Sequence, residues 1–431
     1  MASRLAPLRR PVEFRFDDET IVAEQGEPLA FALLASDKLV ISRSPKLHRP
    51  HGPYCLRGGC DGCTARVNGE PNVMTCLVPC QGGETVATQN VLGSRRLDVL
   101  QLTDWFFPKG IDHHHFLAGM PAASFVVQKL ARHFAGVGRL PEEVRTPGTA
   151  EREEVDVLVV GGGPAGLTVA SEIATHARAK AVLLVDDGVA MGGSLWARGS
   201  KIPDLPHVRI YEHTTALGIY EGEALLARGD RAVVVRPRAL VLATGTHEGV
   251  LPFPGNDLPG VMSARAGARL ARQGIVLGRR VAVMGDGPYA EAFLRATKGR
   301  VEPIMVRATA AVAVEGTLRV NSIAVKETAG RSRPPAVRAQ KRPKNAWRQY
   351  DVDAVLVETP GPPAFELAEQ AGAQVVFAPP RGGYYPIVDG NGRAQAKVWC
   401  AGEVAGTGPD LTAIRAQAAV VARDVLASLS T

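Results

Sequence analysis

No apolar run in the 431 residues approaches the roughly 20 needed to span a bilayer, and the opening MASRLAPLRR lacks the apolar core of a secretory signal. A cytoplasmic location is the expectation, peripheral to a membrane only through partners. Cysteine is scarce, with six in all and only Cys400 beyond residue 80, so a disulfide framework holding the whole chain is excluded. Aromatic residues make up 5%, and no aromatic-rich RNA motif accompanies the net charge of +7, which is spread along the chain. That argues against nucleic acid as a partner. One local basic run, AQKRPKNAWRQ at 339–349, reads as a solvated loop or an acidic-partner surface. Hydrophobic and charged contents of 45% and 22% are ordinary for a globular chain long enough for two or three cores.

What cysteine there is falls in one place. Cys55, Cys60, Cys63 and Cys76 lie within CLRGGCDGCTARVNGEPNVMTC, a C-x4-C-x2-C opening with a fourth thiol twelve residues on. Thiolates at this spacing, on a loop loosened by Gly58, Gly59 and Gly62, converge on a small inorganic core, and plant-type [2Fe–2S] sites share the opening. A zinc site more often shows two C-x2-C pairs, which are missing here. The Asn68-Gly69 pair predicts a hairpin tip that returns Cys76 to the loop. Cys80 competes with Cys76 for the fourth position, but it follows Pro79 at a turn and suits a buried apolar role. Upstream, VEFRFDDETIVAEQ reads as two strands around Asp17-Asp18-Glu19, and EPLAFALLAS as a covering helix. Together these predict an N-terminal ferredoxin-like β-grasp domain over 1–95, with a connector over 96–150.

A second signal begins at VDVLVVGGGPAGLTVASEIA. The apolar run Val155 to Val160 predicts a buried parallel strand, and Gly161, Gly163 and Gly166 form G-x-G-x-x-G leading through Pro164 and Ala165 into a helix. The helix N-terminus offers N–H groups and positive dipole to a diphosphate. A second strand, AVLLV, ends in Asp186 and Asp187; an acid there binds the adenosine ribose, and Asp186, directly after the run, is preferred. FAD and NAD share that adenosine diphosphate half, so either fits the turn.

RRVAVMGDGPYAEAFLRA repeats the strand, turn and helix, with Gly285, Gly287 and Ala290 in G-x-G-x-x-A register. Its next strand ends at Arg307 without an acid. This segment is therefore read as scaffold or partner surface, with Arg307 as a candidate for a 2′-phosphate as the alternative. Consecutive residues His113, His114 and His115 point in different directions on any regular element, which favours interdomain hydrogen bonding over a metal site. His48 is placed beside the cysteine loop or an interface, and Cys400 in a buried strand.

With ALVLATGTHEG and VWCAGEVAG added, the pattern resembles the two-dinucleotide-binding-domain flavoproteins. SRSPKLHRPHGPYC, the four-cysteine segment, DHHHFLAGMP, VVGGGPAGL with MGGSL, and LATGTHEGVLPFPGNDLPGVM sharpen it. Residues 11–431 resemble the α subunits of heteromeric amine and imino-acid oxidoreductases: sarcosine oxidase, opine oxidase, proline and hydroxyproline dehydrogenases and hydrogen cyanide synthase. The fold this implies is α/β and Rossmann-like, with FAD-binding parts at 151–265 and 356–431 around a reduced NAD-type insert at 266–355.

The resemblance carries cofactor contacts to Gly193, Ser194, Thr244, Gly245, Gly402 and Glu403, the last replacing the family's usual Asp. It implies FAD, a [2Fe–2S] cluster, an FMN at a subunit interface in some relatives, and NAD as an alternative occupant of the main site. It also implies a catalytic β-type flavoprotein subunit, with further small subunits in some complexes, and a one-electron acceptor that the sequence does not name. The chain stops short of the folate-binding half of sarcosine oxidase α. It shows no C-x4-C redox pair by the flavin strand and no local acid, base or nucleophile set. The expected role is electron transfer between flavin and cluster. A self-contained NAD(P)H-dependent ferredoxin-type reductase and a scaffolding subunit holding structural NAD are the alternatives.

Overall fold

The computed structural model describes residues 2–44, 48–91, 125, 148–326 and 347–430. His113 to His115, most of the 96–150 connector and residues 339–346 lie outside the described residues.

The N-terminal unit is a five-stranded sheet. β1 (Pro11–Phe16) and β2 (Glu19–Glu24) form a hairpin. α1 (Leu29–Ala35) follows, then β3 (Thr64–Val67), β4 (Glu70–Met74) and β5 (Thr85–Ala87), in the order β2-β1-β5-β3-β4. Alternation in β1 buries Phe14 and Phe16 and exposes Glu13 and Arg15, the period expected of a half-buried strand. The apolar LAFALL stretch of α1 is buried on all sides, so this short helix is held by packing rather than propensity. Asn68 and Gly69, both at positive φ, make the two-residue turn joining β3 to β4. The cysteine loop enters β3 directly, and Cys76 sits just beyond β4.

The second unit is doubly wound. It contains β6 (Glu151–Val160), α2 (Pro164–His176), β7 (Val182–Val185), the single turn α3 (Ser194–Ala197) and β8 (Val208–Tyr211). An antiparallel meander follows: β9 (Thr214–Tyr220), β10 (Glu223–Arg228) and β11 (Arg231–Leu242). β6 pairs in parallel with β7 on one side and β11 on the other, and Val157 to Val160 are buried on both faces, as a central parallel strand requires.

The chain then leaves for an insert whose four parallel strands run β12-β18-β13-β14. These are β12 (Val261–Ser263), β13 (Arg280–Met284), β14 (Glu302–Val306) and, last in sequence, β18 (Ala354–Val357). α4 (Ala264–Arg272) begins at the Ser263 cap, whose Oγ accepts from the Ala266 N–H at 3.1 Å. α5 (Pro288–Ala296) follows the second glycine turn. Between β14 and β18 a three-stranded antiparallel sheet of β15 (Val312–Gly316), β16 (Val320–Lys326) and β17 (Trp347–Asp351) packs on the insert. Returning, the chain adds β19 (Arg393–Gln395) and β20 (Val398–Cys400), the latter parallel to β11, and closes with α6 (Leu411–Ser430) against α2. The N-terminal core is continuous with that of the insert, through Leu39, Met262 and Leu270 among others. That continuity seats the cysteine loop against the dinucleotide unit.

Candidate functional site

The thiols form two couples. Cys55, Cys63 and Cys76 are completely buried and Cys60 is partly exposed. The Cys55 thiol donates to Cys60, pushing Cys60 down to about 6 and Cys55 well up. Cys76 donates likewise to Cys63, lowering Cys63 and raising itself. Leu56 and Gly58, both at positive φ, curl the loop so that its N–H groups face sulfur. Arg57 and Gly59 donate to Cys55 Sγ at 3.4 and 3.3 Å, and Gly58 donates to Cys76 Sγ at 3.2 Å. Among the described residues no three His, Cys, Asp or Glu side chains converge on a point where a single ion would sit. Four thiols sharing one girdle of N–H donors fit a [2Fe–2S] core, which Cys55, Cys60, Cys63 and Cys76 would hold. Cys80 stands apart: its thiol lies 3.6 Å from Glu84 Oε2, and burial pushes it up to about 12.

The first glycine turn divides its labour. A Cβ on Gly161, at φ +106°, would lie 2.3 Å from the Ala243 carbonyl oxygen, and one on Gly166 only 1.8 Å from the Gly161 oxygen. Both glycines are demanded by the protein itself. Gly163, the α2 cap, would meet nothing within 4 Å. Its freedom faces a cavity of ≈ 290 Å³.

Gly161, Gly163, Pro164, Ala165, Asp186, Asp187, Gly193, Ser194, Thr244, Gly245 and Glu403 all line that cavity. Gly166 and Gly402 are not among its lining residues; Gly402, at φ +80°, leaves room for Ala165. The two acids differ. Asp186 accepts from the Gly162 N–H at 2.6 Å and the Gly188 N–H at 2.9 Å, which fixes its carboxylate while leaving lone pairs free. Asp187 is reached by solvent through the cavity, yet the enclosing walls and then the neighbouring Asp186 charge raise its carboxyl, against Arg57 and Arg269.

Sequence reasoning missed part of the wall: Arg57, Gly58 and Gly59 of the cysteine loop, Thr214 to Ala216, Thr246, His247, Arg265 and Glu366. His247 Nε2 lies 2.7 Å from Glu366 Oε1. Arg57 crosses between domains, donating from Nη1 to the Thr246 carbonyl, and Tyr54 Oη donates to the Gly249 carbonyl at 2.6 Å. Only an isolated arginine in an otherwise glycine-rich loop hinted at this.

The second glycine turn is filled from within. Glu358, just past β18, accepts from the Ala290 N–H at 2.6 Å and the Tyr289 N–H at 3.4 Å, and its Oε1 lies 2.4 Å from where a Gly287 Cβ would be. A carboxylate thus takes the α5 terminus that a diphosphate would use. Arg307 is exposed. His48 is buried in the N-terminal unit, with Nδ1 3.1 Å from the Asn90 carbonyl, and Cys400 is buried in β20 with its thiol raised to about 12.

Residues 9–91 match the profile of the 2Fe-2S iron-sulfur cluster binding domain, and residues 148–217 that of the Thi4 family. The chain is 32% identical over 318 residues to the alpha subunit of sarcosine oxidase from Rhizobium meliloti (strain 1021), covering 63% of this chain and 32% of that protein. It is 29% identical over 191 residues to an opine oxidase subunit from the same organism, covering 38% and 41% respectively. The chain is thus similar to sarcosine oxidase α subunits over about two thirds of its own length, and it carries a 2Fe-2S domain match at its N-terminal end. It spans about a third of the length of the sarcosine oxidase α relatives it matches. In fold, L-proline dehydrogenase from P. horikoshii superposes with a TM-score of 0.71 at 22% identity, over 99% of this chain and 76% of that one. By these matches the N-terminal domain is of the [2Fe–2S] kind and the doubly wound domain of the FAD-binding kind.

Proposed function

We propose that the chain is the electron-transfer α subunit of a heteromeric flavin-dependent dehydrogenase or oxidase acting on a secondary amine, opine or imino acid. The observation that carries this is the shared wall. Arg57, Gly58 and Gly59 line the dinucleotide cavity while their N–H groups reach cysteine sulfurs at 3.2 to 3.4 Å. In this reading one loop residue would separate the two cofactor positions.

Cys55, Cys60, Cys63 and Cys76 would hold the cluster in the N-terminal domain. Gly161, Gly163 and the α2 terminus would take the FAD diphosphate, and Asp186 the ribose hydroxyls. Ser194, Gly193 and Glu403 line the same cavity and would face the riboflavin half. When bound, a flavin supplies the exchange between two-electron and one-electron steps, and a [2Fe–2S] cluster passes single electrons. The protein's own contribution is burial of three thiols, N–H donation to sulfur, and a short separation. Substrate chemistry falls to a partner, a β-type flavoprotein subunit, with an FMN at the interface as in some relatives. A one-electron acceptor completes the path. Among the described residues no helix is long and apolar enough to cross a membrane.

The self-contained NAD(P)H reductase is disfavoured by Glu358, which holds the α5 terminus. The reading is tested by purifying the chain with its co-encoded neighbours, followed by a visible spectrum, acid extraction of cofactors, and iron and sulfide analysis. FAD with iron and sulfide near two each per chain supports it. A colourless chain carrying only NAD overturns it in favour of a scaffolding subunit.

A further inference from the structure

Arg57 belongs to both cofactor positions at once. Its backbone N–H donates to Cys55 Sγ at 3.4 Å, while its guanidinium lies on the dinucleotide cavity wall, bonded to the Thr246 carbonyl oxygen. Glu248, whose side chain is 8% exposed, holds Arg57 at 3.7 Å and Arg265 at 3.4 Å. Arg57 and Arg265 are the two arginines among the lining residues. Glu248 lies between the two guanidinium groups, and Asp186, Asp187, Glu366 and Glu403 also line the cavity, so what the arginines add there is N–H donors at one end rather than a net positive charge. The cavity already offers the α2 N-terminus and the open side of Gly163. Such a donor set selects a diphosphate.

We propose that Arg57, although contributed by the cysteine-bearing domain, is a diphosphate-binding residue of the dinucleotide cavity, and that cavity occupancy is thereby linked to the redox state of the four-thiol site. This rests on the proposed function, in which a cluster fills the thiols and a dinucleotide the cavity. An anion on Arg57 adds negative charge beside the site that gains an electron on reduction, so the two oppose each other. Linkage makes the effect reciprocal: whatever factor weakens anion binding on reduction also lowers the potential on anion binding. Direct hydrogen bonding from a guanidinium to phosphate needs Arg or, in part, Lys at this position.

The test uses holoprotein stripped of its dinucleotide, with ADP as a redox-silent probe. Calorimetric titration is made in the oxidised and dithionite-reduced states, and the midpoint potential is read by absorbance with and without ADP. Wild type is expected to bind ADP about tenfold more weakly when reduced, the counterpart of a potential about 59 mV lower with ADP present for a one-electron couple. Arg57→Gln is expected to weaken ADP by at least tenfold and to lower the cluster potential without ADP. Arg57→Lys keeps the charge and is expected to recover most of the potential and part of the affinity. Wild-type affinity in Arg57→Gln, or a wild-type potential that ignores ADP, overturns the assignment. Where a variant takes up no iron, its ADP titration still tests the Arg57 contact and the wild-type arm still tests the linkage. A wild type without iron sinks the cofactor reading itself, and its iron analysis distinguishes that failure from failure of the Arg57 role.

Discussion

Replacing Gly163 by alanine separates a glycine kept for a ligand from one kept for the fold. Its φ of −79° and ψ of −173° suit any residue, and a Cβ there meets no atom within 4 Å. The expected cost to stability is that of a poorer helix cap, about 0.5–1 kcal/mol. In the cavity the same methyl occupies the approach of a diphosphate to the α2 N–H groups. Loss of one or two charge-assisted hydrogen bonds, at about 1.5–3 kcal/mol each, gives about 3 kcal/mol. That corresponds to about a hundredfold weaker binding of ADP, which carries the half common to FAD and NAD.

Gly166→Ala is the control. Its Cβ would stand 1.8 Å from the Gly161 carbonyl oxygen, so backbone must move, and a loss of roughly 3 kcal/mol or more in urea unfolding is expected. Calorimetric ADP titration and urea unfolding on the same preparations measure both. Wild-type ADP affinity in Gly163→Ala, or destabilisation equal to that of Gly166→Ala, refutes the division of labour in this turn.

Serine in place of Cys55, Cys60, Cys63 or Cys76 is expected to abolish iron–sulfur absorption. Cys80→Ala should retain it, with a stability loss of about 1 kcal/mol for the small cavity left; retention in Cys76→Ser with loss in Cys80→Ala reverses the ligand choice. Asp186→Ala removes the acceptor of two backbone N–H groups and is expected to cost about 2–4 kcal/mol and at least tenfold in ADP affinity. Asp187→Asn should stay within about 0.5 kcal/mol of wild type in urea unfolding. Burial raises the Glu358 carboxyl above its usual 4.5, so the folded state binds its proton more tightly than the unfolded state does. Its contribution to stability is therefore full below pH 4.5 and falls as pH rises through the raised value. Glu358→Gln should show a smaller decline in urea midpoint over that window than wild type; parallel declines count against the assignment.

Much of the site could be read locally. Thiol spacing, the Asn68-Gly69 turn and the G-x-G-x-x-G after an apolar strand are all set by neighbours a few residues apart. The ending of AVLLV in Asp186 belongs with them. What escaped reading depends on distant chain. Arg57 meets Thr246 across 189 residues, and no periodicity reports such a pairing. The second glycine turn looks like the first in sequence; the difference is Glu358, which reaches the α5 terminus from a strand 68 residues away. Within the segment expected as an insert, the antiparallel sheet of β15 to β17 carried no clear turn signal and went unread.

If the two thiol couples hold a binuclear iron centre one loop residue from the dinucleotide, low-temperature electron paramagnetic resonance of the dithionite-reduced chain tests it most directly. The expected result is a spin-half signal from a reduced [2Fe–2S] cluster at about one spin per chain, perturbed when ADP fills the cavity. A silent spectrum from protein carrying zinc, or a cluster signal indifferent to ADP, contradicts it.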